Sequence, residues 1–235
     1  MDTPIDDLLT LAPTVLQQLT AELVRRGDEC LIASPESQLS ACFLLALRAL
    51  SLIRGMGIML GPETSDSYEV LSRAHLEARD LLMTFRFDDE GARNKIRYWF
   101  AGTADSAWKP EHKKVDEFLI RRGAIAIELA ASWSRTTVLA HPTRYAAQNS
   151  AAGIVSSVTG PAKTENVSHR KADFLVIISR FIAAATYEIQ GWISLGCDPN
   201  HMPTAEPFHQ EVERVVLALL SVSPGPTLPR QRYRS

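Results

Sequence analysis

Residues 41–60 contain only two charges, Arg48 and Arg54, and that stretch constrains the fold more than any other. A helix of about 20 apolar residues either crosses a bilayer or is enclosed by other helices. A second such stretch, 174–193, is interrupted by Arg180, Glu188 and Gln190. Charges within a span are costly, and neither stretch is flanked by a Lys/Arg bias. Both read as buried helices of a bundle, with no membrane.

The rest of the chain follows the helical period, and no alternating β-branched run bounded by tight turns appears. The expected class is all-α: a single-domain bundle of about seven helices over residues 1–222. A basic, proline-containing tail, 223–235, has nothing to bury and is expected to be disordered. With 235 residues, 46% of them hydrophobic, there is enough apolar side chain for a sizeable core.

The spacing predicts a first helix over 5–26, stopped by Gly27 and kinked or divided by Pro13. A second opens after Ser34 as N-cap and runs to Ile53, with Gly55 and Gly57 loosening its end. A third starts at Ser65-Asp66-Ser67 and ends near Phe87, with Tyr68, Leu71, Ala74, Ala78, Leu81, Leu82 and Phe85 on its apolar stripe. A fourth covers 89–104, basic early (Arg93, Lys95, Arg97) and aromatic late (Tyr98, Trp99, Phe100). A fifth runs from Pro110 to His141, where Pro142 disfavours helical geometry in the residue before it. Residues 142–167, rich in Ser, Thr, Ala and Gly, form a candidate lid. Helices over 168–195 and 206–220 complete the set.

A formal charge of −2 and a pI near 6.3 give no basis for a strong basic surface that would grip nucleic acid or anionic lipid by charge alone. Cys30, Cys42 and Cys197 lack zinc or redox spacing and read as buried thiols. No motif calls for a metal or a cofactor. Gly153, Gly160 and Lys163 miss the phosphate-loop spacing, and Glu206 with His209 lacks the second copy a di-iron site needs. The acidic start, Met1 to Asp7, is unlike a secretory signal, so a cytoplasmic location is expected.

Four polar residues stand out. Arg73 and Glu77, four apart on the third helix, meet on one face. Glu77 falls at the border of the apolar stripe beside Val70, Ala74 and Leu81, so its carboxylate is expected to be partly desolvated, either as an ion pair bracing the bundle or as part of a site. His75, inside the stripe, reads as a core histidine bonded to a neighbouring helix. Arg135 and His141 close the fifth helix. Side chains six apart project about 120° from one another, so they share one phosphate only where the helix end bends or unwinds, which Pro142 can arrange. The C-terminal dipole favours a protonated His141, a candidate acid.

Leu71-Ser72-Arg73-Ala74-His75-Leu76-Glu77-Ala78 and Thr137-Val138-Leu139-Ala140-His141-Pro142 resemble an all-helical bacterial family of unknown function. Its members carry an Arg-x-x-x-Glu helix followed, tens of residues later, by Ser-x-x-x-His. Threonine here replaces the usual serine. The resemblance covers about 70–143. More distantly, Arg135 to His141 is similar to the Arg-x4–6-His signature of the HEPN superfamily, although Thr136 stands where an amide or acid is common. That similarity implies metal-independent RNA cleavage, with His141 and Arg135 as catalytic residues and a homodimer forming the site. The competing expectation is a non-catalytic interaction or regulatory bundle in which the same residues fix helix register.

Overall fold

The computed structural model describes residues 4–33, 36–61, 64–87, 90–103, 107–121, 164–186 and 195–222. Seven α-helices lie within these residues: α1 (Pro4–Ala33), α2 (Gln38–Ile58), α3 (Ser65–Arg86), α4 (Glu90–Phe100), α5 (His112–Arg121), α6 (Thr164–Thr186) and α7 (Ala205–Val222). A 3-10 turn, Pro199–His201, precedes α7. No strand occurs among the described residues, and the protein is all-α as its periodicity requires.

α2 occupies the middle, with α1, α3, α4 and α6 packed against it. By length and composition it is the one described helix that could cross a membrane, but 56% of its most apolar window is buried inside the bundle. Leu50, Ile53 and Met56 of α2 meet Leu19 and Leu23 of α1, Tyr68 of α3, Leu175, Ile178 and Ile182 of α6, and Phe208 and Val212 of α7. Each large aliphatic side chain so buried contributes about 1.5–3 kcal/mol. A smaller core joins Ala41, Cys42 and Leu45 to Leu81, Phe85 and Ile96, with Trp99 packed edge-on against Phe85 at 5.7 Å.

The glycines act differently from the turn signals expected of them. α1 continues through Gly27 to Ala33, because the missing side chain makes room for α2: a Cβ at Gly27 would lie 2.6 Å from Phe43 Cζ. Gly55 and Gly57 likewise stay inside α2. A Cβ there would lie 3.2 Å from Leu71 and 2.8 Å from the Phe174 ring, so they let α3 and α6 approach closely. Pro13 lies on the exposed side of an undivided α1, where it removes only the bond to the Leu9 carbonyl.

Other boundaries also move. The α2 N-cap is Ser37 rather than Ser34, its side chain accepting from Ser40 N–H at 3.1 Å. α4 is shorter than 89–104, since Gly102 turns with φ +64 just beyond it. α6 begins at Thr164, four residues before the expected Ser168. Of the fifth helix only His112–Arg121 is described; the remainder to His141, most of the candidate lid, and the tail lie outside the described residues.

Polar side chains bind these helices together where apolar contact ends. Tyr68, fully buried on α3, donates to Asp173 of α6 at 3.0 Å. Lys171 of α6 reaches Asp6 of α1 at 2.7 Å. Gln18 of α1 donates to Thr204 Oγ1 at 2.9 Å and accepts from its N–H at 3.1 Å, anchoring the start of α7.

The Gly27 contact has a measurable consequence. Alanine is the better helix former by about 1 kcal/mol, yet Phe43 is buried and cannot retreat from an added methyl. Overpacking of this kind costs about 1–3 kcal/mol. Gly27→Ala is therefore expected to lower the urea unfolding midpoint, and an unchanged or raised midpoint would show that α1 and α2 are not in this contact.

Candidate functional site

α3 carries most of the chemistry because it has two polar edges. On the outer one, Arg73 Nε donates to Glu77 Oε1 at 2.8 Å, as the four-residue spacing requires. The side chains are 23% and 52% exposed. Glu77 is thus not the partly desolvated border group expected: Val70, one face-position away, is itself exposed, so this side of α3 lies open among the described residues. Arg135 and His141 lie outside the described residues. Among the described residues the structure therefore brings together only Arg73 and Glu77 of the constellation.

The other edge of α3 belongs to none of the motifs. Asp80 is fully buried and accepts from Arg79 Nε and Nη2 at 2.8 and 2.6 Å on one oxygen, and from His112 Nδ1 at 2.8 Å on the other. His112 opens α5, and its side chain is 42% exposed. Thr84 Oγ1 donates to the Asp80 carbonyl and accepts from Glu111 N–H, so the α5 start is held on α3 through both backbone and side chain. One turn along α5, Asp116 has a buried oxygen without a hydrogen-bond partner. Burial, reinforced by the Asp80 charge, raises its pKa, while Arg79 and His112 oppose the shift.

An imidazole oriented by a buried carboxylate, beside a carboxyl that protonates more readily than usual, is an arrangement capable of proton transfer. It is equally a brace between α3 and α5. A signal was present in the sequence: Leu76, Asp80 and Thr84 follow one another at four-residue spacing on the buried side, and His112 and Asp116 stand four apart.

A second buried carboxylate repeats the pattern. Glu22 of α1, between the core residues Leu19 and Leu23, accepts from Arg25 Nη2 and Nε at 2.7 and 2.8 Å, from the Asp198 N–H at 2.9 Å and from His201 Nδ1 at 2.9 Å. Arg25 is the main cause that holds its carboxyl at about 2, with Asp198 and His201 adding to the effect against the cost of burial. Gly196, at φ +70, lets the chain pass Arg26, whose Nη2 would lie 2.9 Å from a Cβ there. Between α6 and α7, Ser179 Oγ and His209 Nδ1 lie 2.7 Å apart; Ser179 is buried, so the contact ties helices rather than offering a nucleophile.

His75 is the core histidine its position foretold. It is bonded to the Ala49 backbone on α2, and burial, with the Arg79 charge, lowers its pKa to about 4 against smaller opposing effects of the Ala49 bond, Asp173 and Asp80. Its Nδ1 has no partner. Cys42 and Cys197 are buried thiols, and burial pushes Cys42 up to about 11. No protein-family model, curated protein or solved structure matches the chain.

Acid unfolding should separate the two buried groups. The unfolded chain protonates His75 near pH 6.5, whereas the folded chain resists until about 4. Stability is therefore lost as pH falls through that window, by an amount on the order of 3 kcal/mol. Glu22 has the depressed folded value, so its contribution is complete above about 4.5 and disappears toward 2. His75→Leu is expected to flatten urea-measured stability between pH 6.5 and 4.5, and Glu22→Gln to lower it at pH 7. A steep slope persisting in His75→Leu would contradict the first assignment.

Breaking the other clamp gives an independent check. Asp80→Asn removes the charge that faces Arg79 and His112, and loss of one partner in a buried pair costs about 3 kcal/mol. A matching fall in unfolding free energy is expected at pH 7, and a change within experimental error would mean that the cluster does not brace α3 and α5.

Proposed function

We propose that the chain is a cytoplasmic helical-bundle ribonuclease of HEPN-like type, working without a metal, in which Arg73 and Glu77 form one wall of a pocket completed by Arg135 and His141. The observation that carries this reading is the open face of α3. There a guanidinium and a carboxylate stand at 2.8 Å, the carboxylate half-exposed beside exposed Val70. The carboxylate of the family-like Arg-x-x-x-Glu motif is thus accessible from solvent.

The chemistry follows from the residue types. His141 accepts the proton of a ribose 2′-hydroxyl as its oxygen attacks the adjacent phosphorus. The phosphorane charge falls to Arg135, and the proton gained by His141 passes to the departing 5′-oxygen, leaving a 2′,3′-cyclic phosphate and a 5′-hydroxyl. Glu77 fixes the direction of Arg73, which adds positive charge on the same side. A homodimer would supply a second set of these groups to one substrate.

A second reading, a regulatory or interaction scaffold, is favoured by a different observation. The buried carboxylates Glu22 and Asp80 are both saturated by partners that lock helices in register.

Incubation of single-stranded RNA with purified protein, in the presence of a chelator, decides between them. The expected result is cleavage to cyclic-phosphate ends, reduced at least 100-fold by His141→Ala or Arg135→Ala and less by Glu77→Gln, with circular dichroism unchanged. Equal activity in wild type and His141→Ala, or activity in neither, leaves the scaffold reading.

A further inference from the structure

A groove of about 440 Å³ opens between the start of α2 and α4, lined by Glu36, Gln38, Arg93, Ile96, Arg97 and Phe100. Its volume lies within the roughly 300–1,000 Å³ of small-molecule sites. Its two sides differ in charge. Arg93 and Arg97, four apart, share one edge of α4 and are both exposed. Lys95 of the same helix is engaged away from the groove, by the Lys109 carbonyl at 2.8 Å and by Glu111 at 3.8 Å. Arg97 makes only an exposed 3.3 Å bond to Asn94 Oδ1, which an anion can replace.

The opposite side supplies an acceptor. Gln38 begins α2, and its side chain is fixed by donating to the Phe85 carbonyl at 2.6 Å. Glu36 is held at φ +128, a backbone conformation that side-chain-bearing residues rarely adopt. Strain of this kind concentrates at binding and catalytic sites. Between the charged sides lie buried Ile96 and partly buried Phe100, whose ring stands 5.0 Å from that of Trp99.

Two guanidiniums on one edge, an aromatic and an aliphatic surface beside them, and a carboxylate opposite match the three parts of one ligand class. We propose that this groove binds a nucleoside phosphate: the phosphate at Arg93 and Arg97, the base against Ile96 and Phe100, and the base N–H donors at the Glu36 carboxylate. Arginine forks suit phosphate oxygens, and aromatic rings stack on any base. Glu36 repels phosphate and so fixes the orientation. Guanine, which presents two adjacent N–H donors to a carboxylate, is favoured over uracil, which presents one. The unit is common to a free nucleotide and to single-stranded RNA. Binding here does not depend on whether the chain cleaves RNA.

The test uses the full chain carrying His141→Ala, so that RNA stays intact during titration. Calorimetry with GMP and UMP and fluorescence anisotropy with a labelled single-stranded 12-mer containing G report the two sources. Binding of GMP alone assigns a free nucleotide, binding of the 12-mer alone assigns RNA, and both together assign the shared unit. In each case Arg93→Ala/Arg97→Ala is expected to weaken binding at least tenfold, with an unchanged thermal melt because both side chains are exposed. For the 12-mer the double variant should also flatten the slope of log affinity against log salt, by about 0.7 for each phosphate that the protein no longer neutralises. Glu36→Gln should narrow the preference for GMP over UMP. Absence of binding by either probe, or equal affinity in the double arginine variant, overturns the proposal. An unchanged GMP preference in Glu36→Gln overturns the assignment of the base edge. Loss of RNA cleavage in His141→Ala with binding intact bears on the catalytic reading alone.

Discussion

α2 must bury most of its apolar surface, leaving only a strip through Leu44, Arg48, Ser51 and Ile58 in water, and the rest of the bundle is arranged around that requirement. Its residues 38–58 include no carboxylate and only two cations, so four other helices are drawn against it. The glycines decide how close they come. Where Gly27 faces Phe43 and Gly57 faces Phe174, one residue's missing side chain is filled by another's ring, and the helix spacing follows from that exchange. The core is therefore specified by shape at a few points as well as by apolar area.

Polar groups then have few places to go, and they separate into two populations. Glu22 and Asp80 are enclosed and saturated, each by an arginine of its own helix and a histidine from another element. An enclosed carboxylate without such partners is costly when charged, so these clusters record the cost of placing charge inside a bundle. Arg73 and Glu77, by contrast, pair at a partly exposed edge, where pairing contributes little to stability. A residue retained for reasons other than stability is more readily sought in the second population than in the first.

The all-α class and the order of the helices are legible because a 3.6-residue apolar period persists through α1, α2, α3, α6 and α7. The ends are less so. Gly27, Gly55 and Gly57 read as breakers because a sequence does not show which aromatic ring lies opposite a glycine. The Arg73–Glu77 bond follows from spacing alone, since it is local. Asp80–His112 and Glu22–His201 do not: their partners are 32 and 179 residues apart, and only the packing of α3 on α5 and of α1 beside α7 brings them together. Glu77 is more exposed than its helical position predicts because the apolar stripe of α3 is narrower on the Val70 side than hydropathy suggests.

The Glu22 clamp also orders events in time. Its acceptors on α1 leave the ribosome well before the Asp198 N–H that they bind, which is 176 residues further along. Domains synthesised at about 5–20 residues per second fold as their segments emerge. α1 and α2 can meet early across the Gly27 contact, whereas Glu22 must stay hydrated, with Arg25 as its nearby counter-charge, for roughly ten seconds or more until the segment before α7 arrives. The far end of α1 is thus among the last parts of the bundle to close, and a nascent chain arrested before residue 198 would hold a loosely attached first helix.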